Sequence, residues 1–379
     1  MDIVIVGAGI GGLATANALA RDGHRVTVLE RRAHLQPAGA GIIIGANAAT
    51  LLARIGVPLS GAGRELARME LRSARGRTFG AMDFRALPPS YGSAYGITRA
   101  RLHELLIGAL PSEVELTLGT EPLSLDERGG RTVVQCADRD FVADLVVGAD
   151  GLRSSVRELI IAPASRPPLR AANQTCWRGI IDWPSGDVAS EAWGAGTRIG
   201  AIPVEDGKLY FYLVRSAPPG APSPRDLNEL RSWFPGYGGT ARDVLDSLPG
   251  VPALEHEFIE LDSPAWGSGS VALLGDAAHA MTPNQGQGAA MAIEDAGALT
   301  LALRGGRNGA VERYAAARHQ RVRRVQLTSR RIGRLADWHA PVPVRLRELV
   351  FRSTPAAAGR RSLRALLTPG IHLATELSS

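Results

Sequence analysis

Asp2 to Glu30 reads DIVIVG, then AGIGGLATANALARDG, then HRVTVLE: an apolar run, a glycine turn opening an Ala-rich segment, and a second apolar run. Runs this continuously apolar predict strands buried on both faces, and the Ala-rich segment between them predicts a helix, so the chain starts as a βαβ unit with parallel strands. The turn Gly7-Ala8-Gly9-Ile10-Gly11-Gly12 sets glycines in the G-x-G-x-x-G pattern. Gly7 permits the tight turn, Gly9 lets a pyrophosphate approach the backbone, and Gly12 allows the helix to pack closely on the strand. The free N–H groups of the following helix N-terminus then face phosphate charge. Glu30, ending the second strand, is placed to accept hydrogen bonds from a ribose diol. A helix packed tightly on a strand, with an incidental glutamate, is the plainer alternative. The turn alone does not choose between NAD and FAD.

Outward from this unit the pattern changes. Leu66 to Phe84 and Thr197 to Val214 alternate apolar and polar residues and are broken by Pro and Gly, which predicts antiparallel sheet. Arg99 to Leu110 predicts a helix, Phe141 to Gly151 a buried strand ending in a turn, and Ser270 to Ala280 a second strand with its turn. Gly288 to Leu303 reads as helix, and from about Val311 the chain is helical and Arg-rich, with breaks near Pro341, Pro343 and Pro355. Nucleotide-type elements thus fall in separated pieces with sheet between them. The expected division is a discontinuous dinucleotide-binding domain over 1–65, 95–165 and 266–310, a β-sheet substrate domain over 66–94 and 166–265, and a helical region over 311–379.

Composition narrows the class. The chain has 379 residues and is 45% apolar, enough for a large core. Its two cysteines, Cys136 and Cys176, are too few for a disulfide framework, and no charged leader precedes the first strand, so the expected compartment is the cytoplasm. No apolar stretch is long enough to span a membrane. A net charge of +6 suggests acidic partners, but Lys208 is the only lysine among 43 basic residues, a bias that reflects coding background. Basic patches interleaved with aromatics are missing, so no nucleic-acid partner is expected. The densest basic run, Arg318 to Arg334, reads as the solvated face of a helix. No histidine shows metal-ligand spacing with cysteines or acids, so no metal is expected.

Two later segments break the tie between dinucleotides. Asp144 to Arg157 reads DLVVGADGLRSSVR, and Gly275 to Ala296 reads GDAAHAMTPNQGQGAAMAIEDA. In each, an aspartate (Asp150, Asp276) ends an apolar strand at a turn of small residues, where a carboxylate reaches a polyol without a bulky neighbour. Together with the glycine turn, and over roughly residues 1 to 325, these segments resemble the signatures of the class A FAD-dependent monooxygenases, the family of 4-hydroxybenzoate hydroxylase, salicylate hydroxylase and zeaxanthin epoxidase. The resemblance implies an α/β fold: a Rossmann-like FAD-binding domain of the glutathione-reductase type, interleaved with an antiparallel sheet and followed by C-terminal helices. It also implies FAD as cofactor, NADPH or NADH as electron donor and O2 as co-substrate. A flavin C4a-hydroperoxide would then hydroxylate or epoxidise a small aromatic or unsaturated substrate.

By the same resemblance Asp150 and Gly151 lie near the pyrophosphate, and Asp276 holds the flavin's ribityl or ribose hydroxyls. Gly286, Gln287 and Gly288 run beside the flavin, where the helix dipole favours its anionic reduced form. Pro283 borders the isoalloxazine ring. Arg99, in GITRARLHELL, matches the family's R-x-x-L arginine that reaches FAD, with Leu102 as the motif leucine and Arg101 as competitor. Arg31 runs along the adenosine, and Gly119 to Leu123, above all Pro122, passes the adenine. The small segment Gly39-Ala40-Gly41-Ile42 leaves room for a moving flavin. On the substrate side, Arg198 and Tyr210 fall where the urate-hydroxylase branch carries an active-site arginine and tyrosine, but that branch has aspartate where this chain has Asn284. Trp177, Tyr212, Met281 and Asn284 are the expected pocket residues, with plain core as the alternative for the aromatics.

Two further flavoenzyme readings and one outside enzymology compete with this one. The W-x-W-x-I-P signature of flavin halogenases is absent, since Arg178 and Gly179 follow Trp177. A reductase of isoprenoid double bonds and a non-catalytic FAD-fold binding protein are the remaining alternatives. The intact second and third motifs argue against the latter. The expected partner is a small-molecule substrate, and the expected assembly a monomer or homodimer.

Overall fold

The structure is a computed structural model and describes residues 1–35 and 40–378. A six-stranded sheet runs Gly267–Ser268, Val271–Leu273, Leu145–Gly148, Asp2–Val6, Arg25–Glu30, Glu115–Leu118, all parallel except the first. The first strand is apolar throughout because it is buried on both sides. Ile3 and Ile5 pack with Leu13, Val26 and Val28 on one face, while Val4 and Val6 join Val146, Leu273 and Ala277 on the other. The helix Ile10–Arg21 carries buried alanines along its middle and lies close to the helix Gly288–Arg304, which is equally Ala-rich. Small side chains let these helices pack tightly.

The expected strand Phe141 to Gly151 is two strands. Phe141–Ala143 joins Arg131–Gln135 and Ser124–Arg128 in an antiparallel sheet, whereas Leu145–Gly148 enters the parallel one. Asp144 sits between them and accepts from the Asp2 backbone N–H at 2.8 Å. A side-chain acceptor at that corner is what lets the chain change sheets.

The second large sheet has seven strands, in the order Leu254–Leu261, Leu169–Asp182, Lys208–Ser216, Thr197–Val204, Val188–Trp193, Arg68–Ser73, Thr78–Asp83. Val188–Trp193 and Arg68–Ser73 pair in parallel, which joins an early piece of chain to a late one. One face carries Trp177, Ile199, Phe211 and Leu213 and is covered by the helices Leu227–Ser232 and Thr240–Asp246. The other carries Gln174, Arg178, Glu191, Arg198, Tyr210 and Tyr212, as the cross-strand register requires. A small sheet, Gly41–Ile44, Ala94–Thr98 and Arg64–Leu66, lies against that second face. Contact there is very close: a Cβ on Gly96 would stand 2.1 Å from the Pro203 carbonyl oxygen.

Helices Ala310–Ala336, Pro341–Ser353 and Ala356–Glu376 complete the chain. Pro341 starts a helix and Pro355 caps one, as their missing N–H allows. The reading of Arg318 to Arg334 as a solvated face holds only in part: Arg324, Arg331 and Arg334 are exposed, while others turn inward. Arg318 is 4% exposed, with Nη1 at 2.7 Å from Glu294 and Nε at 2.7 Å from Asp295, and Arg330 is buried against Glu260. Their partners lie far away in sequence, so periodicity alone showed only a charged stripe.

Candidate active site

The glycine turn opens on a cavity of about 280 Å³ lined by Gly7, Gly9, Glu30, Arg31, Arg99, Asp150 and Gly151. Each glycine has its own reason. Gly7 has φ +107° and a Cβ there would sit 2.5 Å from the Ala149 carbonyl oxygen, while a Cβ on Gly12 would sit 1.9 Å from the Gly7 oxygen. Gly9 differs: a Cβ would meet nothing within 4 Å, because this position faces the cavity. The helix Ile10–Arg21 has no side-chain cap at Gly9, so its first N–H groups point at the same space. Glu30 accepts the Ala8 N–H at 2.9 Å and the Arg32 N–H at 3.0 Å, which fixes the carboxylate at the turn.

Asp150 accepts from Ser155 Oγ at 3.0 Å and the Val156 N–H at 3.1 Å through one oxygen; its buried Oδ1 has no partner among the described residues. Arg99 Nε is likewise buried and unpartnered among them. Its position is set by Thr98, which caps the helix Arg99–Gly108 and is itself held by Glu205 in the turn between Thr197–Val204 and Lys208–Ser216. Burial, with Arg178 nearby, lowers the Arg99 pKa, and Tyr210 and Asp276 oppose that effect. Unsatisfied buried donors and acceptors around a glycine cradle are a site awaiting a polar, anionic ligand. The donor set fits FAD: an open Gly9 for the pyrophosphate, Glu30 for a diol, Arg99 and Asp150 for groups beyond.

Asp276 begins the short helix Asp276–His279 and is exposed; it does not line the cavity, though its charge acts on Arg99. Behind it, the Gly275 N–H and His279 Nε2 both bind the Asp295 carboxylate, at 3.0 and 2.6 Å. Asp295 continues to Arg318, then to Glu294, Arg321 and Asn47, a buried chain of charges. Asn47 also donates to Gln287 Oε1 at 3.2 Å. Gly286 takes the left-handed conformation (φ +63°) and Gly288 starts its helix without a side-chain cap. Backbone N–H groups are what this loop offers; the Gln287 side chain turns inward. Sequence reasoning missed Asn47, Glu294, Asp295 and Arg318, whose partners are distant in the chain.

On the substrate side, Arg198 is buried and donates to Asn284 Oδ1 at 2.8 Å, Gln174 Oε1 at 3.3 Å and Glu191 Oε1 at 3.3 Å. Asn284 donates in turn to Thr282 Oγ1 and the Ser329 carbonyl. Tyr210 and Tyr212 stand 5.8 Å apart, ring to ring, on the same sheet face. Burial pushes the Tyr210 phenol up to about 12, Cys176 adds to this, and Arg178 and Arg99 work against it. Burial and Glu191 likewise raise Tyr212. His256, buried beside Arg178 and Arg99, falls to about 4. Pro283 is exposed and Met281 half-buried against the main core, both just ahead of Asn284 in the chain.

Two expected positions are corrected. Trp177 lies on the opposite sheet face, edge-on to Trp233 at 5.7 Å, and belongs to the core; odd positions of that strand face the covering helices. Pro122 is buried, and the neighbouring Thr120 and Glu121 line the cavity instead. Gly41 packs directly on Tyr210: a Cβ there would stand 2.4 Å from the Tyr210 Cβ. Gly39 lies outside the described residues. The structure adds Arg178, whose Nε is buried without a hydrogen-bond partner among the described residues, and His103, whose Nε2 lies 2.7 Å from the Ala8 carbonyl at the glycine turn. Among the described residues no His, Cys, Asp and Glu group gathers as a metal-ligand set, and no helix is long and apolar enough to cross a membrane.

A parallel sheet with a glycine cradle, joined to an antiparallel sheet that roofs it, defines a flavoprotein of the FAD-binding type. A family model for the FAD binding domain matches residues 1–168 and 263–329. Aurachin C monooxygenase/isomerase of Stigmatella aurantiaca is 33% identical, covering 93% of this chain and 94% of its own. The 2-heptyl-3-hydroxy-4(1H)-quinolone synthase of Pseudomonas aeruginosa (strain UCBPP-PA14) is 32% identical, covering 97% and 98%. A crystal structure of Klebsiella pneumoniae HpxO with FAD and uric acid superposes with a TM-score of 0.87 at 26% identity, covering 98% and 97%. The chain belongs to the class A FAD-dependent aromatic monooxygenases, and it is an enzyme of that class.

Proposed function

We propose that the protein is a cytoplasmic, single-component monooxygenase. In this reading it uses NADH or NADPH and O2 to hydroxylate a neutral fused N-heteroaromatic ring of the 4-quinolone type. The two electrons come from the nicotinamide; one oxygen atom enters the ring and the other leaves as water. FAD, held by the glycine turn with Glu30, Arg99, Asp150 and Asp276, supplies the redox chemistry that activates dioxygen.

The observation that carries the substrate class is the Arg198 cluster. An unmatched buried arginine would favour an anionic ring, but Glu191 already balances this one and neutral Asn284 fills the position next to it. The relative named as a 4(1H)-quinolone synthase covers the chain nearly end to end, which supports the same choice. With their phenols raised by burial, Tyr210 and Tyr212 stay protonated at neutral pH and do not act as bases; Tyr212 is engaged by Glu191, which leaves Tyr210 to donate to a ring carbonyl. A 4-quinolone needs no base, because its ring nitrogen already enriches the carbon beside the carbonyl. The chain's task is to hold that carbon over the cofactor and keep water out.

The test is a substrate panel of 2-alkyl-4-quinolones, hydroxybenzoates and urate, scored for substrate-stimulated NAD(P)H oxidation and product mass. Quinolones gaining one oxygen, with little stimulation by the anionic aromatics, is the expected result. Preference for a carboxylate-bearing ring overturns the substrate class, and reduction of a double bond with no oxygen gained favours the reductase alternative.

A further inference from the structure

The helix Pro341–Ser353 is turned inside out. Val342, Leu346, Leu349 and Val350 recur at the i, i+4, i+7, i+8 spacing that normally faces a core, yet they are 75%, 53%, 58% and 56% exposed. The inward side carries an arginine: Arg347 is 1% exposed, donates to the carbonyls of Gly194, Leu335 and Ala336, and lies over the Trp193 ring. Phe351 stacks on Phe79 beside it. The helix is therefore fixed by its polar and aromatic side and offers its aliphatic stripe outward. The orientation is held by several contacts and is not one of a loosely attached segment.

The rim of the stripe is basic. Arg345 and Arg352 are exposed on the same helix, and Arg360, Arg361 and Arg364 are exposed at the start of the next. Glu348 is the only acid between residues 340 and 364. A second copy of this chain is a poor occupant, because a two-fold contact would place this arginine rim against itself. The helix is also not long and apolar enough to cross a bilayer. An aliphatic stripe flanked by arginines has the chemistry of a helix lying in a lipid interface, with the stripe among acyl chains and the guanidinium groups at phosphates.

We propose that Pro341–Ser353 docks this enzyme on anionic lipid surfaces. The inference goes beyond the catalytic reading and does not depend on the substrate. The FAD-loaded full chain is to be co-sedimented with vesicles of pure phosphatidylcholine and of equal parts phosphatidylcholine and phosphatidylglycerol. The protein should bind the anionic vesicles and not the neutral ones, with binding falling as salt rises. The triple variant Val342→Ser, Leu346→Ser, Leu349→Ser should abolish binding, and Arg345→Gln with Arg352→Gln should weaken it about tenfold or more. Both variants alter exposed side chains, and retained FAD content and melting temperature confirm that they fold. No vesicle binding by the unaltered protein overturns the proposal, as does binding that both variants leave unchanged. A concentration-dependent dimer that the triple variant dissociates also overturns it, since a second copy would then cover the stripe.

Discussion

Asp150 combines both roles open to an aspartate at a strand end. One oxygen caps the turn through Ser155 and Val156, and the other is buried without a partner among the described residues. Asn at this position keeps an acceptor for the cap but loses the charge. Asp150→Asn should therefore leave the melting temperature of the FAD-free protein nearly unchanged while weakening FAD binding about tenfold, measured by flavin fluorescence titration. Equal weakening of both would make the residue structural only. His256 gives a pH signature. Its pKa drops from 6.5 unfolded to about 4 folded, so below pH 6.5 the unfolded chain takes a proton that the native protein refuses. Stability should fall as pH drops from 6.5 toward 4, and His256→Gln should flatten that slope in melting curves. At this scale Glu30, Arg99, Asp150 and Asp276 were readable because each sits at a fixed offset from a glycine turn or helix start. Arg178 and Asn47 were not, since nothing local in sequence marks a donor that meets its partner across the fold.

Among the elements, the helix Gly288–Arg304 depends most on distant chain. Its Glu294 and Asp295 are fully buried and neutralised by Arg318 and Arg321 from the following helix, with His279 of the preceding short helix hydrogen-bonded to Asp295. Burial alone would raise Asp295, but His279 and Arg318 outweigh it and bring the pKa down to about 2. That stabilisation is complete above the ordinary carboxylate range and is lost as pH falls through the folded value. Glu294→Ala removes the carboxylate partner of Arg321 and one of the two held by Arg318, and should lower stability by about 3 kcal/mol, read from denaturant midpoints. Gly12→Ala forces a Cβ to 1.9 Å from the Gly7 oxygen, so the turn must open. That variant should purify without flavin; a yellow variant would show that the turn tolerates a side chain. Helices and buried strands were legible from apolar runs and small-residue periodicity. Strand parity in Leu169–Asp182 was not: Trp177 and Arg178 sit side by side in sequence and face opposite ways, and the sheet's covering helices decide which side is core.

For the whole molecule, the interleaving was legible because glycine turns recur in separated pieces, each with its own strand. The residues of the proposed substrate face come from four strands and one loop: Gln174 and Arg178, Glu191, Arg198, Tyr210 and Tyr212, and Asn284. No linear pattern encodes such a face, which is why the sequence left the substrate open while its cofactor turns were plain. The C-terminal arginines were equally opaque, since the same stripe holds buried ion pairs at Arg318 and an exposed rim at Arg345. The most direct test of oxygen transfer uses the purified FAD-loaded enzyme, NAD(P)H and a 2-alkyl-4-quinolone under dioxygen of heavy isotope. The product should carry one heavy oxygen atom, with NAD(P)H consumed in equal amount; a product whose oxygen comes from water, or one that gains hydrogen and no oxygen, would contradict the assignment.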